Sequence, residues 1–183
     1  MQIPLPELAI LCLSFRALFY VPVLPDLLLG GSASRLRYLD LTSAPFPGLS
    51  KLLLSTTLLV YLFLSDIPHS GYILPEAMAT CLSMLTSLKE LRLEFESPES
   101  CPDQESRRSI PATRSILPAL TRFWFEGANE YLEDLVALID TPRLYLLSTT
   151  FFHDIDFDTP ELIRLVSRSS SFKVFNEAHV FFY

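Results

Sequence analysis

The chain repeats one apolar pattern, Leu-x-x-Leu-x-Leu, at near-regular intervals along its 183 residues. It stands at Leu8/Leu11/Leu13, Leu36/Leu39/Leu41, Leu59/Leu62/Leu64 and Leu88/Leu91/Leu93. An aromatic version follows at Leu120/Phe123/Phe125, and a degenerate one at Leu144/Leu147/Thr149. Successive starts are 28, 23, 29, 32 and 24 residues apart. The chain holds 36 leucines, enough for one or two chance matches but not for six in order at this spacing. The last two apolar positions of each motif are two apart, so an extended segment projects them to the same side, while the first anchors the turn leading into it. One such unit has a single apolar row and nothing to bury it against. It becomes stable only when neighbours stack and pool their rows into one core.

Four of the five spacings fall within the ~20 to 29 residues of a leucine-rich repeat, and the longest contains an insertion. The expected fold is therefore α/β: a short leucine-rich-repeat solenoid, with parallel strands on its concave side and helices and Pro-rich turns on its convex side. It is expected to be a single domain over residues 1–183, of about six repeats plus a terminal strand. The segments between motifs supply the returns. Pro75-Glu76 opens a helix with Met78, Cys81, Leu82 and Leu85 on one face. Asn129 is placed to cap a second helix through Tyr131, Leu132, Leu135, Leu138 and Ile139, stopped by Thr141-Pro142. Asp158-Thr159-Pro160-Glu161 opens a third, with Leu162, Ile163, Leu165 and Val166 as its buried face. Pro22 to Leu29 and Pro45-Phe46-Pro47 read as irregular or short-helical returns. Ser97 to Ser115, polar and with three prolines, reads as a mobile insertion loop. The first strand and the apolar run Ala178 to Tyr183 read as unprotected edges, which implies marginal stability and association through an end.

Composition narrows the function. Fourteen Lys and Arg against 21 Asp and Glu leave a net charge of −7, and no basic tract exceeds Arg107-Arg108, so a nucleic-acid partner is not expected. The longest apolar stretch, Leu52 to Leu64, is interrupted by Ser55-Thr56-Thr57 and falls short of the ~20 residues of a membrane helix, so no membrane partner is expected either. Leu8 to Val23 lacks the preceding basic residue and the cleavage site of a signal peptide. There is no glycosylation sequon, and Cys12, Cys81 and Cys101 show no disulfide or zinc spacing. The expected location is intracellular, cytoplasmic or nuclear.

The polar clusters complete no catalytic or cofactor motif. His153 with Asp154, Asp156 and Asp158 comes nearest to a metal site, and an unrecognised metal-dependent hydrolase there is the enzyme alternative. An EF-hand frame beginning at Asp154 has Thr159 where Gly is needed and Leu165 where Glu is needed. A strand with Ile155 and Phe157 turned inward accounts for the pattern better. Gly30-Gly31-Ser32-Ala33-Ser34 lacks the Lys of a phosphate loop and the second Gly of a nucleophile elbow, and reads as a turn. No catalytic, metal or cofactor residues are assigned, and the chain is expected not to be an enzyme.

Alternation along each strand instead predicts an outward face of three rows. The central row is Cys12, Asp40, Phe63, Arg92, Trp124 and Ser148. Beside it run Ile10, Tyr38, Tyr61, Glu90, Arg122 and Leu146, and on the other side Ser14, Thr42, Ser65, Glu94, Glu126 and Thr150. Exposed aromatics and arginines are typical of interaction hot spots, so Tyr38, Asp40, Tyr61, Phe63, Glu90, Arg92, Glu94, Arg122, Trp124 and Glu126 are the expected partner-binding residues. Within this register Arg92 falls between Phe63 and Trp124, where its guanidinium can lie against either ring. Glu90 beside Arg122 can equally serve the sheet itself.

Several strings resemble the leucine-rich-repeat region of fungal F-box-type proteins from about Pro22 onward. They are Leu36-Arg37-Tyr38-Leu39-Asp40-Leu41 with Pro45-Phe46-Pro47-Gly48-Leu49, Ile67-Pro68-His69-Ser70-Gly71-Tyr72-Ile73, Asp103-Gln104-Glu105-Ser106-Arg107-Arg108 and Glu130-Tyr131-Leu132-Glu133-Asp134-Leu135. In that family an F-box helix bundle recruits the ubiquitin-ligase machinery while the repeats hold the substrate. The resemblance implies a protein-recognition module that holds a ligase substrate, with Skp-type adaptors and cullins as indirect partners. No F-box itself is recognisable, and a stand-alone scaffold or truncated paralogue without the ligase link is the other expectation of the same class.

Overall fold

A computed structural model of the chain describes residues 7–15, 23–26, 28–31, 33–98, 114–152, 159–169 and 181–182. Each leucine motif becomes a strand: β1 (Ile10–Ser14), β2 (Tyr38–Thr42), β3 (Tyr61–Ile67), β4 (Glu90–Phe95), then β6 (Arg122–Gly127) and β8 (Leu146–Phe151). With β9 (Phe181–Phe182) they form one seven-stranded sheet in the order β1-β2-β3-β4-β6-β8-β9, all neighbours parallel. A small second sheet pairs β5 (Ser115–Ile116) with β7 (Ile139–Asp140). The architecture is thus mixed α/β around a parallel sheet.

The periodicity survives down to single hydrogen bonds. The first leucine of five motifs donates its N–H three residues back: Leu36 to Ala33 (2.9 Å), Leu59 to Thr56 (3.1 Å), Leu88 to Leu85 (3.0 Å), Leu120 to Leu117 (3.3 Å) and Leu144 to Thr141 (3.1 Å). These five leucines are at most 1% exposed, which explains why leucine recurs at a position outside the strand. At each of these five joints two successive N–H groups then converge on the carbonyl just before the preceding strand, as Val60 and Tyr61 do on Arg37 and Thr121 and Arg122 do on Lys89. The same turn is therefore built five times.

Four helices pack on one face of the sheet, each touching the next: α1 (Leu49–Ser55), α2 (Pro75–Ser83), α3 (Asn129–Leu138) and α4 (Pro160–Arg168). Met78, Cys81, Leu82 and Leu85 are at most 2% exposed, as their helical spacing requires. Helix and strand leucines join one hydrophobic core. Burial pushes the Cys81 thiol up, and the side chain acts as a small apolar filler. Gly48 precedes α1 because a Cβ there would stand 2.2 Å from the Asp26 carbonyl oxygen, so this return closes only around glycine. None of the helices in the described residues is long and apolar enough to cross a membrane.

The structure corrects the sequence expectations at several points. Asn129 is the first residue of α3 and does not cap it; Ala128 holds the cap position, with no side-chain bond. The helix stops at Leu138, because Ile139 and Asp140 pair with β5, and Pro142 disfavours a helical Thr141. In α4 Ile163 is 59% exposed and Glu161 is buried instead, so the inward face is rotated from the one expected. Thr159 makes no cap bond either. The Glu133 carboxylate of α3 fills that role, accepting the N–H groups of Glu161 and Leu162, both at 2.9 Å. Glu133→Ala should cost about 1–2 kcal/mol, the value of a lost cap, and should expose the first turn of α4 to faster hydrogen exchange than the rest of the chain.

The tail of the expected loop over 97–115 is ordered: Ser115 begins β5, while Arg114 donates from Nε to the Ala137 carbonyl (3.0 Å) and pairs with Glu161 (3.6 Å). Residues 99–113, with Cys101, lie outside the described residues, as do His153, Asp154, Asp156, Asp158 and most of the terminal run from Ala178. At the sheet's first edge, burial is shallower than the motif implies. Leu11 and Leu13 are half-buried and Cys12 is exposed, whereas Leu39, Leu62 and Leu91 are 0% exposed, because among the described residues β1 has a paired strand on one side only.

Candidate functional site

The face of the sheet opposite the helices carries the residues between the leucines. Pairing follows the register that the repeat spacing demands: Asp40 opposite Phe63, Phe63 opposite Arg92, Arg92 opposite Trp124, Trp124 opposite Ser148. The insertion before β6 does not shift it, since additional residues in a return leave strand alternation untouched. Along β2, β3 as far as Ser65, β4 and β6 the inward positions are buried and the outward ones half-exposed. The ten residues expected to bind a partner share this open face, and none lies in the core.

At its centre the Arg92 guanidinium lies over two rings at once, 5.6 Å from the Phe63 centroid and 5.5 Å from that of Trp124. Each contact is worth ~0.5 to 2 kcal/mol depending on desolvation, and together they hold a long side chain that would otherwise be mobile. Glu94 approaches Arg92 Nε at 3.6 Å, too long for a hydrogen bond but close enough to fix the sign of the field. Towards β2 the rings of Tyr38, Tyr61 and Phe63 meet one another at centroid separations of 5.5 to 6.4 Å. Tyr38 donates weakly to Asp40 (3.4 Å), and its phenol is raised above the usual value by burial first and by Asp40 next, so it remains a protonated donor.

Glu90 pairs with Arg122 at 2.7 Å across adjacent strands, so of the two roles its register allows, partner contact and service to the sheet, it serves the sheet. Asp66, which the repeat pattern passes over, joins the site. It lies within the register shift between Leu64 and Ile67, at φ 50°, a conformation that Asp tolerates better than most residues. Its neighbour in the preceding repeat, Ser43, has φ 54° and donates to the Asp66 carboxylate at 3.4 Å. The Ser-Asp pair at the end of β3 was the only trace of this in the sequence, and no spacing rule marks such a bulge.

Glu126 stands opposite Glu94 in the register. Burial, then Glu94, then Asp66 raise its carboxyl above the ordinary value. A carboxylate raised in this way binds its proton more tightly folded than unfolded. Its favourable share of stability is complete below the unfolded pKa and is lost as pH rises through the folded one. Glu126→Gln should therefore raise Tm at pH 7, with the advantage shrinking towards pH 4; thermal unfolding at the two pH values reads the difference. A lower Tm for the variant at pH 7 would mean that the charged form is held by a favourable contact.

Among the described residues no group of three or more His, Cys, Asp and Glu is arranged to hold a metal ion. Compared with known protein families, curated proteins and solved structures, the chain matches none.

Proposed function

We propose that the chain is a short leucine-rich-repeat solenoid that recognises another protein through its open, concave sheet face, as the substrate-holding part of an F-box-type ubiquitin-ligase receptor. Five identical turns, strands in sequence order and helices on one side support the repeat class. The observation that carries recognition is the Phe63–Arg92–Trp124 stack, three large side chains held in place on a surface that nothing else among the described residues covers. Aromatics and arginine so arranged lose little entropy on binding and offer both apolar area and hydrogen-bond donors. The role is one of binding, without catalysis.

Affinity purification of the full chain from fungal cells, beside Trp124→Ala, tests this. Recovery of a partner that the variant loses, together with Skp-type adaptors and cullins, is the expected result. A Trp124-dependent partner without ligase components would leave a stand-alone scaffold. Partners retained in full by the variant would overturn the binding face. The hydrolase alternative is tested with a chelator, which should leave both bound-metal content and melting temperature unchanged.

A further inference from the structure

The open face bears a charge imbalance that its own residues leave standing. Among the described residues it carries five carboxylates, Asp40, Asp66, Glu90, Glu94 and Glu126, against the two guanidinium groups of Arg92 and Arg122. Both cations are already engaged, Arg122 by Glu90 at 2.7 Å and Arg92 by two rings and Glu94. Among the described residues no cation pairs with Glu126 or Asp66. Glu94 and Glu126 lie directly opposite on β4 and β6, a placement that costs the sheet stability, and Asp66 closes the group at the end of β3. Beside this acidic end lies the apolar one, the three mutually packed rings of Tyr38, Tyr61 and Phe63. A polyanion is repelled here, and a purely apolar partner leaves the carboxylates desolvated and unpaired.

We propose, resting on the recognition reading above, that this face holds an extended polypeptide segment with an apolar side chain on Tyr38, Tyr61 and Phe63 and a Lys or Arg side chain four residues along on Glu94, Glu126 and Asp66. The spacing follows from the sheet. Phe63 and Glu126 are two strands and two residues apart, and two strand separations of ~4.8 Å with two rises of ~3.3 Å place them ~12 Å from each other. In an extended chain residues i and i+4 are ~13 Å apart and face the same way, whereas i+3 faces away. The cation thus replaces the pairing that β4 and β6 lack, and the platform of Arg92 and Trp124 supports the residues between.

Trp124 is the chain's only tryptophan, so its fluorescence reports occupancy of the face. The probes are capped, tryptophan-free ten-residue peptides in a Ser/Thr background, carrying Phe with Arg at i+4, Phe with Glu at i+4, or Phe with Arg at i+3. The Phe/Arg i+4 peptide should bind saturably, and at least tenfold more tightly than either of the others. Glu126→Gln should reduce its advantage over the Phe/Glu peptide severalfold while far-UV circular dichroism stays unchanged. Equal binding of the two i+4 peptides, an undiminished preference in Glu126→Gln, or no binding by any peptide would overturn the inference. Calorimetry with Trp124→Ala separates the two levels. Charge-blind binding that this variant abolishes leaves the recognition face and removes only the partner chemistry, whereas charge-blind binding that it retains removes both.

Discussion

Phe123→Ala should destabilise the fold by about 3–5 kcal/mol, the largest effect expected of a single substitution outside the glycine turns. Phe123 is the largest of the fully buried side chains, at 0% exposure, and sits in the inward row between Leu91 and Leu147. Its ring meets Phe125 edge to face at 6.5 Å, and Phe125 in turn stacks on Tyr131 of α3. The core here is a chain of aromatic contacts, with Phe95 and Tyr72 continuing it. Truncation leaves a cavity that flanking strands cannot close, because their spacing is fixed by backbone pairing. A domain of this size has a total stability of ~5 to 15 kcal/mol, so the variant should lose a large part of its urea midpoint and should populate the unfolded state on mild warming. A loss below about 1 kcal/mol would mean that the inward and outward rows are exchanged.

Strand positions, register and the outward rows were legible because they depend on one rule, alternation, applied to a motif repeated six times. Leu39, Leu62 and Leu91 obey it because each has a covered neighbour on both sides. Leu11 and Leu147 obey it only partly, since burial near the sheet's ends is set by the number of neighbours and not by residue type. The helix boundaries were less legible. Capping residues were read from local sequence, but α4 is capped by Glu133, 28 residues before the Glu161 N–H it accepts, and no local rule finds a cap supplied by tertiary contact. Of the site, the Arg92 sandwich followed from register alone. Asp66 did not, because it stands at a bulge where counting by twos fails, whereas the Glu90–Arg122 pair was one of the roles the register offered those residues.

Trp124→Ala should weaken partner binding by about 2 kcal/mol or more, close to thirtyfold, while changing stability by less than about 1 kcal/mol. The contrast with Phe123, one residue away, is the point of the experiment: the two side chains have similar apolar bulk and differ in which side of the sheet they occupy. Trp124 does two things at once. It presents area to a partner, and it forms one wall of the slot that keeps Arg92 extended over Phe63. Removing it frees Arg92 on that side, so the partner loses a contact surface and also meets a guanidinium that must be ordered on binding. Trp124→Phe, which restores a ring beneath Arg92, should recover part of the loss. A double-mutant cycle with Arg92→Ala isolates the second contribution: coupling of 0.5 kcal/mol or more is expected if the two act as a unit. Additive losses would show that Trp124 binds the partner by itself, and no loss with either variant would place the recognition surface elsewhere on the chain.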